Sequence, residues 1–280
     1  MVAIAGFGPQ LRSWRLARHL SQEALAARAE ISSRHLNFVE NGRSNPSREL
    51  VLALSDALDI PLRDRNSLLT LAGFAAVYRA SSLDGAELRH LRRAIGHVLR
   101  QQEPYGAFVL NGRWDLLEAN AGALRMMAQF PPRSAEGAAA YRNILLATLH
   151  PDALRAYIVN WLEVASLLVA RLHREIAAMP GEETQRLLAT ALAMPGVPPS
   201  WRTPTPGQSS EPFVTVHLRS PAIELQLFSM LTSIGTPLDV TAEEIHIETY
   251  FPADEASERV LRELAEREER EAPRARSSAS

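Results

Sequence analysis

The chain contains no cysteine and no lysine in its 280 residues. Without thiols there is no disulfide, no thiolate zinc site, no cysteine nucleophile and no iron–sulfur cluster. A flavin photosensor that works through a cysteine adduct is excluded on the same ground. All thirty basic side chains are arginine, whose planar fork suits phosphates and guanine edges. No run of about 18 apolar residues is free of charge, so no membrane span is expected. The opening MVAIAGFGPQLRSW lacks a basic n-region and a long apolar run. No signal peptide is expected, and the protein reads as cytoplasmic. G-x-S-x-G, Walker and dinucleotide fingerprints are missing, and Gly6-Phe7-Gly8 follows no strand. His150, His173 and His217 lack the spacing of a zinc motif. Neither a catalytic set nor a cofactor or metal site is therefore expected.

What is present is enough for two cores. Hydrophobic residues make up 46% of the chain, which is ordinary for folded protein. The net charge of −2 is unevenly spread. Residues 1–80 carry ten arginines against seven acids, and residues 81–280 carry twenty against twenty-five. A mildly basic front on an acidic chain fits a site-specific DNA reader better than a general polyanion coat.

The first eighty residues read as five short helices. The first runs near Pro9–Arg18 with Leu11, Trp14 and Arg15 on one side. Ser21 caps the second, and Ser32 or Ser33 caps a third that Gly42 ends. Pro46-Ser47 opens a fourth with Leu50, Leu54 and Leu58 at four-residue spacing, and a fifth covers Leu62–Ala72 before Gly73. Residues 74–85 read as a link. An amphipathic helix follows at Ala86–Gln102. Ala107–Leu110, Asn111-Gly112 and Trp114–Glu118 predict a hairpin. Helices are expected at Ala119–Gln129, Ala139–Leu149, Pro151–Met179 (in one piece or two) and Glu183–Ala193, then a loop from Pro195 to Pro212. Strands are expected at Phe213–Arg219, Ile223–Ser233 and Glu243–Phe251, and a charged helix at Ala256–Glu268 precedes a disordered PRARSSAS. The domain reading is 1–80, 86–255, and a helix with tail at 256–280.

The segment LSQEALAARAEISSRHLNFVENGRSNPS has the make-up of a DNA-binding helix-turn-helix. Small Ala24, Ala26 and Ala27 let two helices approach, and Leu25, Ile31, Leu36 and Val39 fill the space between them. It resembles the Cro/C1-type, or XRE, family over about residues 10–73. That resemblance implies that Gln22 sits near a phosphate and that Ser33, Arg34 and Phe38 face bases, with Asn37 beside them. It further implies that Asn41 and Arg43 clamp the backbone and that Arg15 and Glu40 form a structural ion pair. Arg34 can bond guanine O6 and N7 together. Glu30 stands where the family usually has Gly, at a turn that often needs a left-handed backbone.

The fold class expected is α+β: an all-α five-helix repressor-like domain followed by a PAS-like α/β domain with an antiparallel sheet. PYGAFVLNGRWDLLEANAGALRMM, HPDALRAYIVNWLEVASLLVARLHREI and FSMLTSIGTPLDVTAEEIHIETYFPADE resemble the MmyB-like ligand-binding domain of bacterial transcription regulators, over about residues 86–255. The resemblance implies a pocket for an apolar ligand such as a fatty acid. From the residues, Phe108, Trp114, Asn120, Leu124, Met127, Trp161, Leu168, Phe228 and Thr232 either line one cavity or are simply core. Tyr157 and Asn160 cluster polar atoms beside Trp161; Asn160 either binds a ligand carboxylate or caps a loop. Arg171 is either a second carboxylate partner or a solvated charge. Glu244, His246 and Glu248 alternate along a strand, as a metal site or a solvent face would. The overall expectation is a homodimeric regulator of double-stranded DNA, modulated by a small apolar ligand. The alternatives are a helix-turn-helix fused to an enzyme, and a protein–protein module.

Overall fold

The structure, a computed structural model, describes residues 6–178, 181–203 and 214–271. The part of the loop from residue 204, Phe213, Met179 and the PRARSSAS tail lie outside the described residues. Two compact units emerge. The first takes residues up to Leu88 together with the returns 175–178 and 235–243; the second takes the rest. The first unit thus runs past residue 80. The segment read as a link is tied down within it: Asn66 Oδ1 accepts from the amides of Val77 and Tyr78 at 2.9 and 3.0 Å, and its Nδ2 donates to the Tyr78 carbonyl at 2.7 Å.

The first unit holds α1 (Phe7–Ala17), α2 (Gln22–Arg28), α3 (Ser33–Glu40), α4 (Arg48–Ala57) and α5 (Leu62–Leu71). Ser21, Ser32 and Ser47 each accept from the amide three residues on, at 3.0, 3.1 and 3.2 Å, which settles the α3 cap on Ser32. Pro61 offers α5 no side-chain cap; Glu243 supplies one, accepting from the Leu62 amide at 2.8 Å. All five helices end alike. The amide of Leu20, Ile31, Arg43, Ile60 or Phe74 donates to the carbonyl five residues back, at 2.8–3.1 Å. This closure puts the preceding residue in the left-handed region, which Gly42 and Gly73 enter freely (φ 68° and 87°) and His19, Glu30 and Asp59 enter at 53°, 55° and 49°.

Glu30 therefore keeps the family's turn with the wrong residue type. Glu30→Gly is expected to stabilise this unit by of order 1 kcal/mol, read as a rise of several degrees in its melting transition. An unchanged or lower midpoint would count against strain at this turn. The five helices close over one core that includes Leu11, Trp14, Leu25, Leu36, Val39, Leu54, Leu58 and Leu69. Gly8 is required where α1 meets the end of α3: a Cβ there would lie 2.3 Å from the Glu40 carbonyl oxygen.

The remaining elements, in chain order, are α6 (Arg89–Gln101), β1 (Ala107–Leu110), β2 (Leu116–Ala119), α7 (Ala121–Ala128), α8 (Ala135–Ala140), α9 (Ile144–Leu149), a 3-10 turn (Leu154–Tyr157), α10 (Trp161–Ala178) and α11 (Glu182–Leu192). A second 3-10 turn (Pro199–Arg202), β3 (Val216–Arg219), β4 (Glu224–Ser233), α12 (Val240–Glu244), β5 (His246–Pro252) and α13 (Glu255–Glu271) follow. The strands form one sheet in the order β2-β1-β5-β4-β3, every neighbouring pair antiparallel. The fold is α+β, helical in front and mixed behind.

One expected helix is corrected, one open alternative is decided and one expected hairpin is refined in its turn. The β1–β2 turn does not use Gly112 as its left-handed residue; Trp114 takes that place at φ 66°, and Asn111 Oδ1 shapes the turn by accepting from the amides of Arg113 and Asp115. The Ala139–Leu149 helix is two helices, because Asn143 leaves helical geometry to cap α9, accepting from the Leu146 amide at 3.1 Å. The Pro151–Met179 helix breaks before Trp161, where Asn160 turns to β3 and accepts from the His217 amide at 3.0 Å.

Candidate nucleic-acid interface and sensor core

The recognition helix is fixed from beneath. Arg15 on α1 and Glu40 on α3 form a two-pronged ion pair, Nε–Oε1 2.7 Å and Nη2–Oε2 3.0 Å, with side chains only 8% and 2% exposed. Arg15 also donates to the Leu20 carbonyl at 2.8 Å. From Glu40 a chain of amides climbs to the surface. Gln22 Nε2 donates to Glu40 Oε2 at 2.7 Å, Asn37 Nδ2 to Gln22 Oε1 at 3.2 Å, and Asn41 Nδ2 to Asn37 Oδ1 at 3.2 Å. The start of α2 and the outer face of α3 are thereby held in one register.

Above this chain, Ser33 and Arg34 open α3 and both are exposed. Arg34 lies over the Phe38 ring, Cζ 5.4 Å from its centroid, so the ring is a platform that limits where the fork can point. Phe38 itself is half-buried. Replacing it with Ala is expected to weaken binding to a selected DNA site about threefold to tenfold through lost positioning of Arg34, measured by fluorescence anisotropy. Arg43 departs from a rule of this unit. Where the other four helix closures place apolar Leu20, Ile31, Ile60 or Phe74 against the core, the closure of α3 places an exposed arginine. Core packing cannot be its reason. The structure thus links Gln22, Asn37 and Asn41 in one hydrogen-bonded chain and Arg34 with Phe38 in one ring contact, and it leaves Ser33 and Arg43 exposed.

The sensor candidates divide instead. Register pairs Phe108 with Glu248 and Glu248 with Leu231, so odd-numbered β4 residues share the Phe108 face. Phe228 and Thr232 point to the other face, where Phe228 stacks on Phe251 at 5.5 Å. Those two do not share a cavity with Phe108. Leu124 is 61% exposed, outside the packed core. Asn120 is spent on the backbone: its Oδ1 accepts from Ala107 and Ala123 amides at 2.9 and 2.8 Å, and its Nδ2 donates to the carbonyls of Tyr105 and Leu99 at 2.8 and 3.2 Å. Asn160 ties α10 to β3, donating to the Thr215 carbonyl at 2.8 Å, and Trp161 Nε1 donates to the Thr148 carbonyl at 2.8 Å. Tyr157 hydroxyl donates to the Pro131 carbonyl at 2.7 Å. These are structural pins. Phe108, Met127, Tyr157, Trp161 and Leu168 do gather in the core between the sheet and the helices, and Trp114 is buried with Arg171 stacked on its ring at 4.4 Å.

The MmyB-like transcription regulator ligand binding domain model matches residues 91–264, and the helix-turn-helix model matches residues 11–64. The chain belongs to the MmyB-like transcription regulator family. No curated protein is significantly similar to it. Among solved structures, it is 37% identical to the restriction-modification controller protein C.AhdI from Aeromonas hydrophila, over 23% of this chain and 98% of that one, with a TM-score of 0.21. It is 12% identical to an RNA-binding light-oxygen-voltage receptor, over 93% of this chain and 62% of that one, with a TM-score of 0.23. No helix among the described residues is long and apolar enough to cross a membrane. The protein is a DNA-binding transcription regulator with a ligand-binding domain.

In this MmyB-like regulator the sequence reading missed one polar group. Alternation along the strand puts Glu248 with Glu244 and His246 on a metal-binding or solvent face, yet it is only 7% exposed, because β5 is a central strand covered on both sides. No group of metal-ligating side chains is present among the described residues. Burial raises the Glu248 carboxyl above its ordinary range, against the opposing pull of the Ser229 and Tyr250 hydroxyls and the Arg171 guanidinium. Its protonated form is the one the fold favours, so the cost of ionising it appears as pH rises through the raised value. Glu248→Gln is expected to stabilise the ligand-free domain at neutral pH, with the gain vanishing below the ordinary carboxylate range. Thermal melts of both proteins across pH check this; a gain that grows on acidification would contradict it.

Proposed function

We propose that this chain is a homodimeric regulator whose binding to a specific double-stranded DNA site is modulated by a small apolar ligand such as a fatty acid. The observation that carries the DNA half is the exposed Ser33–Arg34 start of α3, held by a buried ion pair and an amide chain that reach the same helix. The ligand half is supported by the inner sheet face. Phe108, Leu110, Leu225 and Leu227 are apolar and buried there, while the far end of β4 leaves Leu231 42% exposed beside buried Glu248. An acyl chain would reach the apolar residues by parting the helices packed on them, with its carboxyl near Tyr250, Glu248 and Arg171. The protein acts in this reading by binding rather than turnover. A ligand shifts DNA affinity only as far as it prefers one of the protein's arrangements over another.

Native mass spectrometry of the protein as purified tests this. A dimer mass with one retained lipid per subunit is expected, together with a changed affinity for a selected duplex once the lipid is stripped and palmitate is added back. A monomer without lipid, whose DNA affinity ignores palmitate, would overturn the reading.

A further inference from the structure

We propose that the ligand-binding domain carries its own DNA-backbone site, on the exposed face of α6. This rests on the DNA-binding reading but on none of the residues of the recognition helix. The thirteen residues of α6, RHLRRAIGHVLRQ, hold four arginines, two histidines and no acid. That is unusual on a chain whose residues 81–280 carry twenty arginines against twenty-five acids. At 100° per residue, Arg89, Arg93, Gly96, His97 and Arg100 fall on one stripe, with Arg92 at its border. The opposite side is the apolar one, and it is already used: Ile95 is 1% exposed and Leu99 5%.

The stripe has the shape of a cradle. Gly96 at its centre contributes no side chain, and an open cavity of about 670 Å³ lies over it, lined by Arg92, Arg93, Gly96, His97, Arg100 and Glu118. Arg92 pairs with Glu118, and an Arg100 nitrogen lies 3.2 Å from His97 Nδ1. Arg93 and Arg100 remain exposed, two turns apart or about 10 Å. Double-stranded DNA presents one negative charge per ~3.4 Å of its axis on each strand, so two arginines spaced this way can each meet a phosphate of one strand. A membrane surface is the other large polyanion. A helix that lies in a bilayer must bring its apolar face to the lipid, and here that face is inside the domain.

The test is the salt dependence of binding by the full chain to two duplexes: one selected from a random pool by the protein, and one of unrelated sequence. Arg93→Gln with Arg100→Gln is expected to lower the slope of log K against log salt by about two on both duplexes, with affinity at low salt roughly tenfold weaker. Gly96→Lys is expected to raise the slope by about one. An added Cβ at Gly96 would meet only the end of the Arg100 side chain, at 3.2 Å, so this variant keeps the test open should the double variant fold poorly. Unchanged slopes in both variants would overturn the proposal. So would loss of binding to vesicles of equimolar phosphatidylglycerol and phosphatidylcholine with DNA binding intact. Arg34→Ala separates the two readings, because it removes site preference and leaves the slope on the unrelated duplex in place.

Discussion

Arg34→Ala costs about 1–3 kcal/mol in binding to the selected site, roughly fivefold to 150-fold, with little change on unrelated DNA. The asymmetry follows from position. Arg34 stands at the exposed start of α3, where a recognition helix meets base edges, and it rests on Phe38 rather than on an acid that would quench its charge. A guanidinium placed this way adds discrimination when two donors meet O6 and N7 of one guanine, and adds little when no guanine is there. Fluorescence anisotropy on the selected duplex and on versions altered one base pair at a time reads both quantities. The variant should lose preference at one position. Equal weakening on every sequence would make Arg34 a phosphate contact instead.

Glu40→Ala destabilises the first unit by about 3–5 kcal/mol, a large share of the 5–15 kcal/mol that holds a domain together. The reason is the group left behind. Arg15 is 8% exposed on its side chain, so losing Glu40 leaves a buried cation without its two carboxylate bonds, and Gln22 loses the acceptor for its Nε2 as well. The cost is one of stranding, and the double variant Arg15→Met with Glu40→Leu should recover much of it, since apolar packing can replace a buried pair. Urea unfolding of the unaltered protein, Glu40→Ala and the double variant measures this. A single variant that loses under 1 kcal/mol would show that Arg15 finds water or another partner.

The helical unit was legible because its information is local. Serine caps, glycine stops and four-residue leucine spacing each act within one or two turns, and the structure places Ser21, Ser32, Ser47, Gly42 and Gly73 as those signals imply. The family resemblance marks Glu30 as the misfit at its turn, and its left-handed backbone bears that out. The sheet was legible as strands and illegible as a surface. Which face Phe228 or Phe108 occupies depends on pairing across more than a hundred residues, and a one-residue change of register exchanges the faces. From the residues, Asn120 is either cavity lining or core, and Asn160, a polar group in an apolar helix, either binds a ligand carboxylate or caps a loop. The partners are the backbone of Ala107, Tyr105 and Leu99 for one, and of Thr215 and His217 for the other, which no spacing reveals. Glu248 erred in the opposite direction. Alternation along β5 suggested one wet face, whereas the central position of the strand covers both.

The central claim is that this regulator reads DNA sequence through α3, as one of two copies. Selection of bound duplexes from a random pool by the full chain, followed by sequencing, tests it most directly. The account predicts an enriched motif of two inverted half-sites about one helical turn apart, with a guanine in each half-site whose enrichment disappears in Arg34→Ala. A pool that enriches no motif, or the same motif with and without Arg34, would contradict it.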